Sequence, residues 1–232
     1  MRNVAAMRRV LAFIAIAATG LLPLPATAQT THTCFGEPAT VVGTPESDHL
    51  HGDVVVGLGG NDQLSGRLVC AGKGNDGSLT SYEAVNAGPG HDLTINTRGP
   101  LAIGGPGNDD FADANIPKQV RRGGEGDDSM TLEGYEGELD IFYGGIGNDG
   151  SDAEEGFFSN NTRQYGGDGN DSFIGGGGKD YLFGEAGDDF LTTAMFLDDN
   201  IADFIDGGDG FDTCRVRTGD RAINCEDVTV VS

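Results

Sequence analysis

Apolar residues return along this chain at one fixed place in a polar phrase rich in glycine and aspartate. The phrase reads GLGGNDQL from Gly57, AGKGNDGS from Ala71, AGPGHDLT from Ala87, GGPGNDDF from Gly104 and GGEGDDSM from Gly123. It returns as GGIGNDGS from Gly144, GGDGNDSF from Gly166, GGGGKDYL from Gly175, GEAGDDFL from Gly184 and GGDGFDTC from Gly207. Written as nine positions, the fourth is always Gly and the sixth always Asp. The eighth is apolar in seven copies, at Leu64, Phe111, Met130, Phe173, Leu182, Leu191 and Cys214. Glycine tolerates positive φ and close backbone approach, so the first half of the phrase predicts a tight turn. The apolar eighth residue starts a short strand and points inward. Units that repeat in this way stack on one another, which predicts an all-β solenoid.

The phrase resembles the RTX, or haemolysin-type, calcium-binding nonapeptide GGxGxDxUx, in which U is apolar. The resemblance spans roughly residues 43–214, and TCFGEPATVVGTPESDHLHGD and NCEDV resemble the ends of secreted bacterial members. It implies a parallel β-roll with Ca²⁺ held between turns stacked on the same edge. The implied ligands are the carboxylates of Asp62, Asp76, Asp92, Asp109, Asp128, Asp149, Asp171, Asp180, Asp189 and Asp212. Backbone carbonyls of the adjoining turns join them, among them those of Gly104, Gly107, Gly144, Gly147, Gly166, Gly169, Gly175, Gly184 and Gly187. Such an all-oxygen set suits a hard cation. Asp110, Asp127 and Asp188 sit beside the ligand positions and are expected to be solvated. The turns at Asp76, Asp92 and Asp149 have weak eighth positions, Ser78, Thr94 and Ser151.

The family's ideal spacing between aspartates is nine residues. Here the spacings run 14, 16, 17, 19, 21, 22, 9, 9 and 23. With Asp180 set aside, the mean gap is about nineteen, near one full coil of two repeats. The reading is therefore a roll of about nine coils with its calcium turns stacked mainly on one edge. Asp180 is then a lone turn on the opposite, irregular edge, which carries linkers such as Gly134 to Gly137 and Glu154 to Asn161. A degenerate turn around Asp48 caps the column. Carboxylates stacked about 4.8 Å apart repel by roughly 1 kcal/mol in water and by more at lower dielectric. Cations inserted between the turns remove that repulsion, so the roll is expected to need metal, with up to about eight sites.

Export fits this chemistry. Arg8-Arg9, the apolar run from Val10 to Ile16 and on to Leu24, and Ala26-Thr27-Ala28 form a secretory signal over residues 1–28. The expected organisation continues with a cap and degenerate first turn over 29–56, the roll over 57–214 and a C-terminal cap over 215–232. Removing the signal leaves 11 basic against 37 acidic residues, a charge of −26. Such a chain attracts cations and disfavours nucleic acid and anionic membrane, and no insertion into a membrane is expected after cleavage. Four cysteines in an exported chain predict two disulfides, one clamp at each end: Cys34–Cys70 and Cys214–Cys225. The larger members of the thin core are expected to be Phe142, Phe173, Phe183 and Phe204.

No catalytic constellation emerges. The paired acids Asp109-Asp110 and Asp188-Asp189 diverge as neighbours on a turn, and the four histidines contain no HExxH pair. GGGGKD at Gly175 lacks the Ser or Thr of a phosphate loop. The function read from the sequence is calcium binding by a secreted, non-enzymatic module that folds outside the cell, structural or adhesive in role. A non-catalytic polysaccharide- or surface-binding solenoid and a hydrolase- or toxin-related fragment are the alternatives.

Overall fold

Within the roll, extended segments rich in alternating apolar residues pair with segments one coil away, because each turn reverses the chain without forming a hairpin. In the computed structural model the described residues are 31–112, 118–132, 139–153, 161–193 and 201–231. The proposed signal and the linkers at 134–137 and 154–160 lie outside them. The roll is all-β, of about nine turns, and every strand pairing within it is parallel.

One face is built from Leu101–Pro106, Val120–Glu125, Leu139–Ile146, Asn161–Asp168, Tyr181–Ala186 and Phe204–Asp209, paired in that order. The other runs from Leu93–Thr97 through Asp110–Phe111, Ser129–Leu132 and Gly150–Ala153 to Ser172–Ile174, Phe190–Thr192 and Thr213–Arg217. It closes on Asp227–Val231. Near the start the long strands Gln63–Lys73 and Gly77–Asn86 run through both faces.

The core is a double ladder between the faces. Val55, Val69, Val85, Ala102, Arg121, Phe142, Gln164, Leu182 and Ile205 succeed one another in register on one side. Leu79, Ile95, Phe111, Met130 and Ser151, then Phe173, Leu191 and Cys214, do so on the other. All of these side chains are buried. Phe142 and Phe173 are core residues as expected and touch edge to face, with centroids 5.9 Å apart. Phe183 and Phe204 are not. Leu182 and Ile205 take the inward positions, and the two-residue period of a strand then sends Phe183 to the outer face, with Phe204 likewise outside.

The weak eighth positions have a local cause. Ser78 and Thr94 adopt positive φ, 52° and 57°, which inserts one residue into the phrase. Leu79 and Ile95 therefore fill the inward places, both at most 1% exposed. Ser151 stays in phase and is buried, accepting the Ile174 backbone N–H at 3.0 Å.

Both expected disulfides are present. Cys34–Cys70 ties an antiparallel hairpin, Thr33–Cys34 with Glu37–Pro38, to the roll. Cys214–Cys225 closes the other end. The hairpin lays Cys34 and Ala39 against the outward Val54, Val56, Leu68 and Ala84. Arg67 fastens it further by pairing with Glu37, Asp53 and Glu83.

Candidate metal centre

The turn fixes where each sixth-position aspartate points. Nine of them stack along one edge: Asp62, Asp76, Asp92, Asp109, Asp128, Asp149, Asp171, Asp189 and Asp212. In each, Oδ1 accepts the backbone N–H of the column residue one coil earlier, at 2.7–2.9 Å, beginning from Asp48. Asp212 donates its own N–H to Glu226, which ends the column. The side chain thus replaces the strand ladder at a corner where backbone carbonyls cannot reach.

The second oxygen is different. Oδ2 of all nine is buried and takes no hydrogen bond, and the residues are at most 2% exposed. A carboxylate oxygen without a partner in such a place is costly. Burial accordingly pushes the carboxyls upward: Asp128 to about 8, Asp92 and Asp171 to about 7, and Asp76, Asp109, Asp149 and Asp189 to about 6. Asp62 and Asp212, near the ends, also shift up. The backbone hydrogen bond opposes the shift. Neighbouring carboxylates add to it, notably Asp109, Asp149 and Asp127 around Asp128. Desolvation is therefore the larger cause, ahead of the mutual repulsion expected from stacking alone.

The opening turn shows what a satisfied site looks like. There Asp48 Oδ2 accepts the Thr44 N–H at 2.6 Å and the Thr44 hydroxyl at 2.9 Å. Thr44 occupies the second position of its turn, which is glycine in most of the others.

The orphaned oxygens face cradles lined by oxygen. A Cβ placed on Gly57, Gly123, Gly166, Gly184 or Gly207 would meet the Oδ2 of its own turn's aspartate within 2.6 Å. It would also meet a carbonyl of the next coil, that of Ala71, Gly144, Gly184, Gly207 or Asn224, within the same distance. First-position glycine keeps this space open. At the fourth position the reason is different: the carbonyls of Gly107, Gly147, Gly169 and Gly187 press on the glycine of the next coil, whose φ is positive. The Gly104 carbonyl accepts the Gly88 N–H at 2.8 Å and keeps a second lone pair. In the turns of Asp76 and Asp92 the first position is Ala71 and Ala87, whose methyls narrow the cradle, so these turns fit a cation least well.

Among the described residues no three His, Cys, Asp or Glu side chains converge on a point. A cation held in this column would draw most of its oxygens from backbone carbonyls, with one or two aspartates supplying charge. The donor set is hard oxygen throughout and fits Ca²⁺.

The fifth positions form an outer ladder that the sequence reading missed. Asn75 N–H bonds to Asn61, His91 to Asn75, Asn108 to His91 and Asp127 to Asn108. The series continues through Asn148, Asn170 and Asp188 to Phe211. Asp127 and Asp188 are exposed, as expected, but they are also rungs.

Asp180 does not stand alone on the opposite edge. Its Oδ1 accepts the Thr162 N–H, its own N–H bonds to Asp203, and Asp203 bonds to Asp220. Gln119 donates likewise to Asp140. A Cβ on Gly175 would approach Asp180 Oδ2 at 2.8 Å. The signal lay in one offset: Gln119, Asp140, Thr162, Asp180 and Asp203 each stand nine residues before a column aspartate. That half of each coil has constant length, and every insertion falls in the other half.

A comparison with curated proteins found no match. The family model for the RTX calcium-binding nonapeptide repeat matches in four copies, over residues 165–193 and 202–214. The matched stretch contains the turns of Asp171, Asp180, Asp189 and Asp212, and the same hydrogen-bond column continues from it back to Asp62. Repeats of this family bind calcium, and over these residues the chain carries RTX calcium-binding nonapeptide repeats.

Proposed function

We propose that this chain is a secreted calcium-binding module whose roll orders outside the cell, where calcium is plentiful, and whose role is structural or adhesive rather than enzymatic. The observation that carries this reading is the run of nine buried Oδ2 atoms in one column, none with a hydrogen-bond donor. A proton or a cation neutralises the charge they carry. The signal-like start of the sequence, the two disulfides and the acidic surface all agree with an extracellular setting. Sites made mainly of backbone carbonyls need only millimolar-range affinity for this role.

Residues of the chain would share the work as follows. The column aspartates would supply negative charge, and the first-position glycines would keep the cradle open. The Oδ1 rungs would hold each carboxylate in line. The bound cation would supply the positive charge that lets buried carboxylates stay ionised.

Equilibrium dialysis against calcium at neutral pH tests this. Several ions per chain are expected, with magnesium a poor competitor because it demands a tighter octahedral shell. The variant Asp109→Asn/Asp128→Asn/Asp149→Asn should bind fewer. Stoichiometry below one, or a count unchanged in the variant, would contradict the assignment.

A further inference from the structure

The aspartate edge leaves one sheet face unexplained. Its outward positions run from the strand Leu101–Pro106 to the strand Arg221–Ile223, a strip about 30 Å long at the usual strand spacing. One row contains Ile103, Arg122, Tyr143, Tyr165 and Phe183, in register, and continues to Asp206 and Ile223. The row beside it contains Ile141, Arg163, Tyr181, Phe204 and Arg221.

The rings form a stack. Tyr143 and Tyr165 lie 4.9 Å apart, and Tyr165 and Phe183 lie 4.8 Å apart, nearly parallel in both cases. Cations cover the ring faces: Arg122 over Tyr143 at 5.7 Å, Arg163 over Tyr181 at 4.9 Å, Lys179 over Tyr181 at 5.4 Å and Arg221 over Phe204 at 5.6 Å. In a chain of 37 carboxylates, these four cations form no ion pair among the described residues. A cation held over a ring face keeps N–H groups for an oxyanion. The same face is already a docking surface at its other end, where the disulfide-tied hairpin covers Val54, Leu68 and Ala84.

We infer that this strip binds a linear anionic polysaccharide. Its in-register rows run in one direction and match an extended chain, with ring flanks and tyrosine hydroxyls for the sugars and the four cations for carboxylate or sulfate groups. A linear polymer touches the strip alone, where Asp206, bonded by Asn224 at 2.7 Å, is the carboxylate in the two rows and lies at their far end, and screening over about 8 Å shields the polymer from the acidic edges. A planar lipid surface would meet those edges as well.

None of the strip residues belongs to the aspartate column, so this inference and the calcium assignment can fail separately. The test is titration calorimetry of the calcium-loaded chain with dextran sulfate, with neutral dextran and phosphatidylglycerol vesicles in parallel. Dextran sulfate should bind, neutral dextran should not, and salt should weaken the binding. Affinity should fall about tenfold or more in Arg122→Gln/Arg163→Gln/Arg221→Gln, the loss expected when several charge contacts go together. It should hold in Lys73→Gln/Arg215→Gln, which removes two cations elsewhere. Circular dichroism checks that the triple variant is folded, and the exposed Arg122→Gln alone, with a smaller loss, serves if it is not. Absence of binding, equal binding of neutral dextran, or unchanged affinity in the folded variants would overturn the inference. So would vesicle binding without dextran sulfate binding, which would put a lipid surface in place of the glycan.

Discussion

In calcium-free buffer the roll will be most stable near pH 4 and will lose its β spectrum as the pH rises from there to 8. Burial raises seven of the column carboxyls to about 6 to 8 in the folded chain, above the ordinary value of 3.8. The folded chain therefore binds more protons than the unfolded chain in this window. A raised pKa contributes stability that is fully present below the unfolded value and is lost as the pH climbs through the folded one. Seven buried sites titrate in the same range, so the loss is steep. Calcium and protons compete for the same oxygens, and the calcium requirement should fall as the pH is lowered. Circular dichroism in chelator across this range checks the claim. A folded protein at pH 8 without metal, or one equally unfolded at pH 4, would contradict it.

Asp128 separates the two jobs of the column residue. It lies mid-column, its Oδ1 accepts the Asp109 N–H at 2.8 Å, and its Oδ2 is buried without a partner. Asp128→Asn keeps an Oδ1 acceptor and removes the charge. It should stabilise the calcium-free roll at neutral pH and lower the number of ions bound. Asp128→Ala also removes the rung and leaves the Asp109 N–H buried, which costs roughly 1–3 kcal/mol whether calcium is present or not. Denaturant melts of the two variants, each with calcium and with chelator, should therefore move apart. Equal behaviour of Asn and Ala would mean that the rung contributes nothing, and an Asn variant no more stable than the parent in chelator would mean that the carboxylate's charge is not what opposes folding.

Much of this was legible because the turn chemistry is local. Gly at the fourth position and Asp at the sixth mark each coil, and all ten aspartates singled out from the sequence are buried. Disulfide pairing followed from the position of the cysteines at the two ends. What was missed depends on relations between coils. Asp140, Asp203 and Asp220 carry no glycine-rich phrase, and only their place opposite the column makes them rungs. The fifth-position ladder likewise uses side chains whose partners lie a whole coil away, at separations that vary with the insertions. Phe183 and Phe204 looked like core by size. Strand alternation, counted from Leu182 and Ile205, places them outside instead.

The central claim is that buried, partnerless carboxylates make this roll depend on a cation. Far-UV circular dichroism of residues 29–232 at neutral pH, titrated with calcium from a chelated start, tests it most directly. A cooperative change from coil to β at sub-millimolar to millimolar calcium, with little response to magnesium, is the predicted result. A β spectrum already complete in chelator would contradict it, and would show that glycine turns, apolar ladders and disulfides hold the solenoid without metal.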